Sequence, residues 1–236
     1  MKIILLISLT LTIGFVSRAQ KKGKQAEEKS FSASTISGLK FRSLGPALTS
    51  GRIADIAVHP ENHNIWYVAA ASGGVWKTNN HGTTFNPIFD SYGSYSIACV
   101  ELAPSNPNTV WVGTGENNNQ RSVAYGDGVY KSLDGGASFK NMGLKSSEHI
   151  GNIIVHPTNE NIVWVAAYGP VWSEGGERGV YMTRDGGTTW IRTLEISKHT
   201  GIAEIAIDPD DPKILYASAH QRRRREWTYI GGGPES

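Results

Sequence analysis

The chain has 236 residues, with 23 Lys and Arg against 21 Asp and Glu, so its formal net charge is only +2. A balance that near to zero gives no electrostatic footprint for nucleic acid. The single cysteine, Cys99, excludes an intramolecular disulfide framework, and 27 glycines with seven tryptophans suit a turn-rich β protein better than a helical one.

The first segment, residues 1–19, reads as a secretory signal peptide. Lys2 supplies the positive start, Ile3 to Val16 is almost wholly apolar, and Ser17-Arg18-Ala19 places small residues before a cut at Gln20. The apolar run is shorter than the roughly 20 residues of a spanning helix, and no later stretch is apolar enough to cross a membrane. The expectation is a secreted, periplasmic or cell-surface protein. Residues 20–40 are rich in Lys, Glu, Ser and Gln, and read as a polar linker that cannot repay the entropy of ordering.

From residue 41 a repeat emerges. Each unit opens on a small, apolar strand: Arg52 to Val58, Ser96 to Leu102, His149 to Val155 and Gly201 to Ile207. A proline ends each one (Pro60, Pro104, Pro157, Pro209), and a second strand carries an aromatic seven residues later (Tyr67, Trp111, Trp164, Tyr216). A third strand begins Gly74-Val75-Trp76, Gly128-Val129-Tyr130 or Gly179-Val180-Tyr181. It runs into a motif seen three times: Thr78-x-Asn80-x-Gly82-x-x-Phe85, Ser132-x-Asp134-x-Gly136-x-x-Phe139 and Thr183-x-Asp185-x-Gly187-x-x-Trp190. A fourth strand leaves the motif.

Four short strands per unit, at a period near fifty, predict an all-β propeller of four-stranded antiparallel blades. The blades fall at about 51–90, 95–141, 149–194 and 201–236, with three complete and the first two strands of a fourth. Propellers close with typically four to eight blades, so further blades are expected downstream or from another chain.

The motif reads as a structural turn. The Asp or Asn side chain accepts backbone N–H bonds, the Gly adopts positive φ, the hydroxyl ties back, and the aromatic packs between blades. Asp134 and Asp185 have no second carboxylate close by, so no metal is expected, and nothing points to a cofactor. Cys99, inside Ile97-Ala98-Cys99-Val100, reads as a buried, inert thiol. His59 and His156, each before a blade proline, read as turn residues.

These motifs resemble the Asp-box, or neuraminidase-type, repeat of sialidases, xyloglucan-hydrolysing propellers and sortilin-type receptors. The third copy matches that pattern fully, whereas the first carries Asn80 and Phe85 and the second ends in Phe139. The stretch from Gly51 to Ser236 is similar to the N-terminal blades of secreted bacterial glycosyl-hydrolase-like or sortilin-like proteins. The resemblance implies a carbohydrate-related propeller or, alternatively, a non-catalytic one that binds peptides or glycans. It assigns no catalytic residue here. Where xyloglucanases carry an aspartate before the Gly-Gly of the first blade, this chain has Ala70-Ala71-Ser72-Gly73-Gly74. Where sialidases carry Arg-Ile-Pro, it has Arg52-Ile53-Ala54.

Loop lengths locate the ligand face. From the second-strand aromatic to the third-strand glycine the gap is 7 residues in the first blade, 17 in the second, 15 in the third and at least 20 after Tyr216, whereas the other turns hold one length. Variable loops on one end of a rigid scaffold are where binding concentrates. The candidates there are Glu116, Asn118, Arg121, Tyr125 and Asp127 in the second blade, Trp172, Glu174 and Arg178 in the third, and Trp227 in the fourth. Asn117, Asn119, Gln120, Glu177, the run Arg222 to Arg225, Glu226 and Tyr229 accompany them. Aromatic faces suit stacking, and amides and carboxylates suit directional hydrogen bonds. A hydrolase needs two carboxylates about 5 Å or 6.5–9.5 Å apart, a separation the spacing of these residues does not define. The arginine run reads as a solvated loop or a partner of Glu226.

Overall fold

The computed structural model describes residues 32–35, 37–38, 51–118 and 123–236. The segment expected to be a signal peptide lies outside the described residues, as do most of the expected linker and residues 41–50. The N-terminal unit, to Ala47, is described only at Ser32, the 3-10 turn Ala33–Thr35 and residues 37–38.

The second unit contains four antiparallel sheets, one for each expected blade. Blade one pairs β1 (Ile53–Val58), β2 (Trp66–Ala70), β3 (Gly74–Thr78) and β4 (Asn86–Pro87) in that order. Blade two pairs β5 (Ile97–Ala103), β6 (Asn106–Thr114), β7 (Val129–Ser132) and β8 (Lys140–Gly143). Blade three pairs β9 (Ile150–His156), β10 (Asn159–Ala167), β11 (Gly179–Thr183) and β12 (Ile191–Leu194). Blade four pairs β13 (Thr200–Ile207), β14 (Leu215–Arg224) and β15 (Tyr229–Gly231). It therefore has three strands where two were expected. The reason is that Arg222, Arg223 and Arg224 extend β14 and pair with Gly231, Ile230 and Tyr229 across a tight turn in which the Arg225 N–H donates to Thr228 O (2.8 Å).

All four first strands carry a register irregularity near their third residue, between Ile53 and Asp55, Ile97 and Cys99, Ile150 and Asn152, and Ile202 and Glu204. An extra residue there bends and twists the strand. In blade one the bulge aims the Asp55 carboxylate at its neighbour, where it accepts the Val100 N–H at 3.0 Å.

The three motif turns share one hydrogen-bond network. Oδ1 of Asn80, Asp134 and Asp185 accepts the N–H of Thr84, Ser138 and Thr189, each at 2.9 Å. The hydroxyl of Thr78, Ser132 or Thr183 donates to that same oxygen and accepts the glycine N–H at 2.8–3.0 Å. In the two aspartate turns these contacts stabilise the ionised form. The Ser138 hydroxyl and then that of Ser132 hold the Asp134 carboxyl down at about 2, and the Thr189 hydroxyl and N–H do the same, first and most strongly, for Asp185.

The turns also join the blades. Gly135 O, in the second turn, accepts from the Tyr67 hydroxyl (2.9 Å) and the Lys77 ammonium (2.7 Å) of blade one. Gly186 O, in the third, accepts from Lys131 of blade two at 3.2 Å, while that ammonium sits 5.1 Å from the centre of the Trp111 ring. Gly187, at φ +97°, needs both its conformation and its lack of a side chain, because a Cβ would stand 2.7 Å from the Trp111 ring. Phe139 packs edge-on against Phe89, and Trp190 packs edge-on against Trp111 while donating to Met142 O at 2.8 Å.

Three apolar clusters fill these seams. Cys99 is buried in the seam between blades two and three, and burial pushes its thiol pKa upward. His59 and His156 serve as turn acceptors through Nδ1, taking the N–H groups of Glu61 and Asn62, and of Thr158. Asp208 does the same for Asp210 and Asp211 in blade four.

Candidate functional site

The loops between second and third strands emerge at the end of the blades where the first strands begin. Loop 71–73 closes blade one tightly, and loops 115–128 and 168–178 are long. In blade four the expected long loop is replaced by the β14–β15 hairpin, which leans on blade three through a bond from the Arg224 N–H to Val171 O (2.9 Å).

Many of the predicted polar residues are held by their own scaffold. Glu116 is buried, its carboxylate meets the Arg52 guanidinium, and its N–H donates to Ser96 Oγ at 3.0 Å. Asn117 bridges to Gly151 O in blade three at 2.9 Å, and Asn118 accepts from Arg52 through its carbonyl at 3.2 Å. Asp127 accepts the Tyr130 hydroxyl at 2.5 Å and takes the Thr114 oxygen as partner for its own N–H at 2.9 Å. Glu177 accepts the Ser146 N–H at 2.8 Å, and Glu174 pairs with Lys198 at 3.0 Å. These four carboxylates therefore hold four different partners. Arg121, with Asn119 and Gln120, lies outside the described residues.

Arg178 is buried and pins its own loop. Its guanidinium donates to the carbonyls of Gly175 (2.8 Å), Tyr168 (2.9 Å), Ser173 (2.9 Å) and Pro170. Burial, then the nearby Arg223 and Arg222, brings its pKa down to about 10. Among the candidates Tyr125 is 57%, Trp172 48% and Trp227 80% exposed, and Asn118 and Glu174 are exposed as well.

Sequence reasoning missed the positively charged interior beside these rings. Arg222 is 2% exposed, which corrects the solvated-loop reading of the arginine run. Its guanidinium carbon lies 3.7 Å from the centre of the Tyr168 ring, and Nη1 donates to Asn117 O at 2.8 Å. Strand alternation explains the burial, because successive residues of an extended chain point to opposite faces. His149 is fully buried, and both ring nitrogens lack a partner. Burial, then Arg222 and Arg178, pushes its pKa down to about 3, so the imidazole is neutral. The alternation of β14 was readable in principle from Leu215 onward; nothing local marks His149.

On the opposite face of β14, Gln221 and Arg223 line a cleft of about 190 Å³ with Arg225 of the following turn and with Glu174, His199 and Ile230. Among the described residues no group of three or more His, Cys, Asp and Glu side chains could hold a metal ion. No described helix is long and apolar enough to cross a membrane.

No protein-family model matches the chain, and no curated protein matches it. Solved structures do. An ancestral GH74 enzyme is similar at 20% identity and TM-score 0.55, over 72% of this chain and 22% of that one. The GH74 enzyme of Niastella koreensis is similar at 18% identity and TM-score 0.54, over 75% and 28%. The GH74 xyloglucanase of Xanthomonas campestris is similar at 15% identity and TM-score 0.53, over 74% and 27%. The chain thus spans about a quarter of their length. At such identities the likeness is one of fold, and it is that of the GH74 propellers.

Proposed function

We propose that this chain is the saccharide-recognising portion of an exported, glycosyl-hydrolase-like propeller, and that its ligand lies across the loops between second and third strands. The observation that carries the reading is the exposure of Tyr125, Trp172 and Trp227 on those loops, while Tyr67, Trp111 and Trp164 are buried in the joints. Exposed aromatic rings offer apolar faces against which sugar rings stack, and the amides beside them supply orientation. The fold likeness to GH74 enzymes, one of them named a xyloglucanase, supports a carbohydrate-related role.

The role assigned to this segment is binding. Glu116, Asp127, Glu174 and Glu177 are each held by a local partner, and no carboxylate stands in the Ala70 to Gly74 stretch. Export rests on Lys2 and the apolar run that follows. A further blade, from the same polypeptide or another, is the partner that the uncovered faces of blades one and four support, since Ile53 and Tyr216 are 62% and 60% exposed.

Isothermal titration with neutral and acidic oligosaccharides tests the reading. Saturable binding without release of reducing ends is expected, and Trp172→Ala should weaken it by about tenfold, the cost of one stacked ring in the ~1–1.5 kcal/mol range. Failure of every oligosaccharide to bind, with a peptide ligand binding instead, would favour a sortilin-like role and overturn this one.

A further inference from the structure

Two arginines of β14, Arg222 and Arg223, keep guanidinium nitrogens that the protein does not satisfy. Arg222 Nε and Nη2, and Arg223 Nε and Nη1, are buried without hydrogen-bond partners. A buried cation left in that condition is costly, and acidic side chains ordinarily face it. Among the described residues the one carboxylate lining the cleft, Glu174, is shared among several cations: it pairs with Lys198 at 3.0 Å and also acts on His199 and Arg223, while Glu148 acts on Arg178. Arg178 and Arg222 lie behind the cleft, so the local field is strongly positive although the chain as a whole is nearly neutral.

We propose that the cleft between β14 and the loop of blade three is an anion subsite that takes the carboxylate of an acidic saccharide, with Arg223 and Arg225 as its principal donors. The inference rests on the saccharide-binding reading above and adds the substrate class to it. Gln221 and Arg223 lie two apart on one face of the strand, and Arg225, in the turn that follows, lines the same cleft. Guanidinium groups match a carboxylate by paired, charge-assisted hydrogen bonds, which are shorter and stronger than neutral ones. His199 stands on the same wall and Ile230 offers an apolar surface for a ring. A volume of about 190 Å³ corresponds to about six waters of liquid, room for one sugar residue and its acid group. The exposed Trp172 stands in the same blade-three loop as Glu174.

The test uses the full chain and three probes: a galacturonic acid trimer, a neutral galactose trimer and inorganic sulfate. Titration at 50 mM salt should show the acidic trimer binding at least tenfold more tightly than the neutral one, with sulfate competing and higher salt weakening the acid alone. Arg223→Gln and Arg225→Gln should each lower affinity for the acid by about tenfold and leave the neutral trimer unchanged. Arg225 is exposed, so its variant reports even where Arg223→Gln disturbs folding. Equal affinity for both trimers, or an unchanged acid affinity in a folded Arg225→Gln protein, overturns the anion subsite while leaving saccharide binding intact. Binding of neither trimer overturns both readings.

Discussion

Glu101 shows how one side chain sets a pH dependence. It lies in β5 next to the Asp55 carboxylate of blade one, and burial followed by that charge raises its pKa from 4.5 to about 7. The fold therefore favours the protonated acid. Between about pH 4.5 and 7 the folded state holds more proton than the unfolded chain, so stability falls as the pH rises through that window. The loss is complete above pH 7 and is on the order of 1–3 kcal/mol. Denaturant unfolding at pH 5 and pH 8 should show it, and Glu101→Gln should remove the difference. A difference of the same size in the Gln variant would mean another group is responsible.

The strands and turns were the most legible parts of the sequence, because their signals are periodic. Pro60, Pro104, Pro157 and Pro209 fixed where each first strand ends, and the hydroxyl, acid and glycine spacing of the motif fixed the turn between third and fourth strands. The physical cause is local: a side-chain oxygen reaches backbone N–H groups within five residues. What could not be read was cross-strand company. Glu116 looked like a ligand group because its partner, Arg52, belongs to blade one and becomes a neighbour only when the two blades pack. Arg222 looked solvated because a run of four like charges hides the alternation of a strand. The same limit conceals the joint made by Lys77 and Lys131. Blade three has Met182 at that position, so two joints use an ammonium to hold the next turn's carbonyl and one position lacks it. Lys131→Met should loosen the seam between blades two and three by about 1 kcal/mol, from one charged hydrogen bond and a cation–π contact. Equilibrium unfolding measures it, and Arg184→Met, on an exposed turn position, serves as the control expected to change little.

Across the four blades, the ends differ from the middle. Ile97, Val100 and Leu102 of β5 are at most 6% exposed, whereas Ile53, Ile56 and Val58, at matching positions of β1, are 62%, 51% and 44% exposed. Tyr216, in the place of Tyr67 and Trp111, is 60% exposed. Both ends carry a blade's ordinary contact surface, and such apolar faces promote association. Ile56→Glu should reduce concentration-dependent association in sedimentation velocity while leaving the far-ultraviolet circular dichroism unchanged; identical sedimentation of the two proteins would show that blade one's face has no such role.

The joints also have a direction. In the first two blades the second-strand aromatic is sealed by the turn of the blade after it: Tyr67 by Gly135, 68 residues further on, and Trp111 by Gly187 and Trp190. A growing polypeptide made at about 5–20 residues per second leaves Tyr67 waiting roughly 3–14 s for its cover. Blade one is thus finished by synthesis of blade two, and blade two by blade three. The order of manufacture is written into the seams of the first three blades, and until each seam closes one aromatic surface stands open to water.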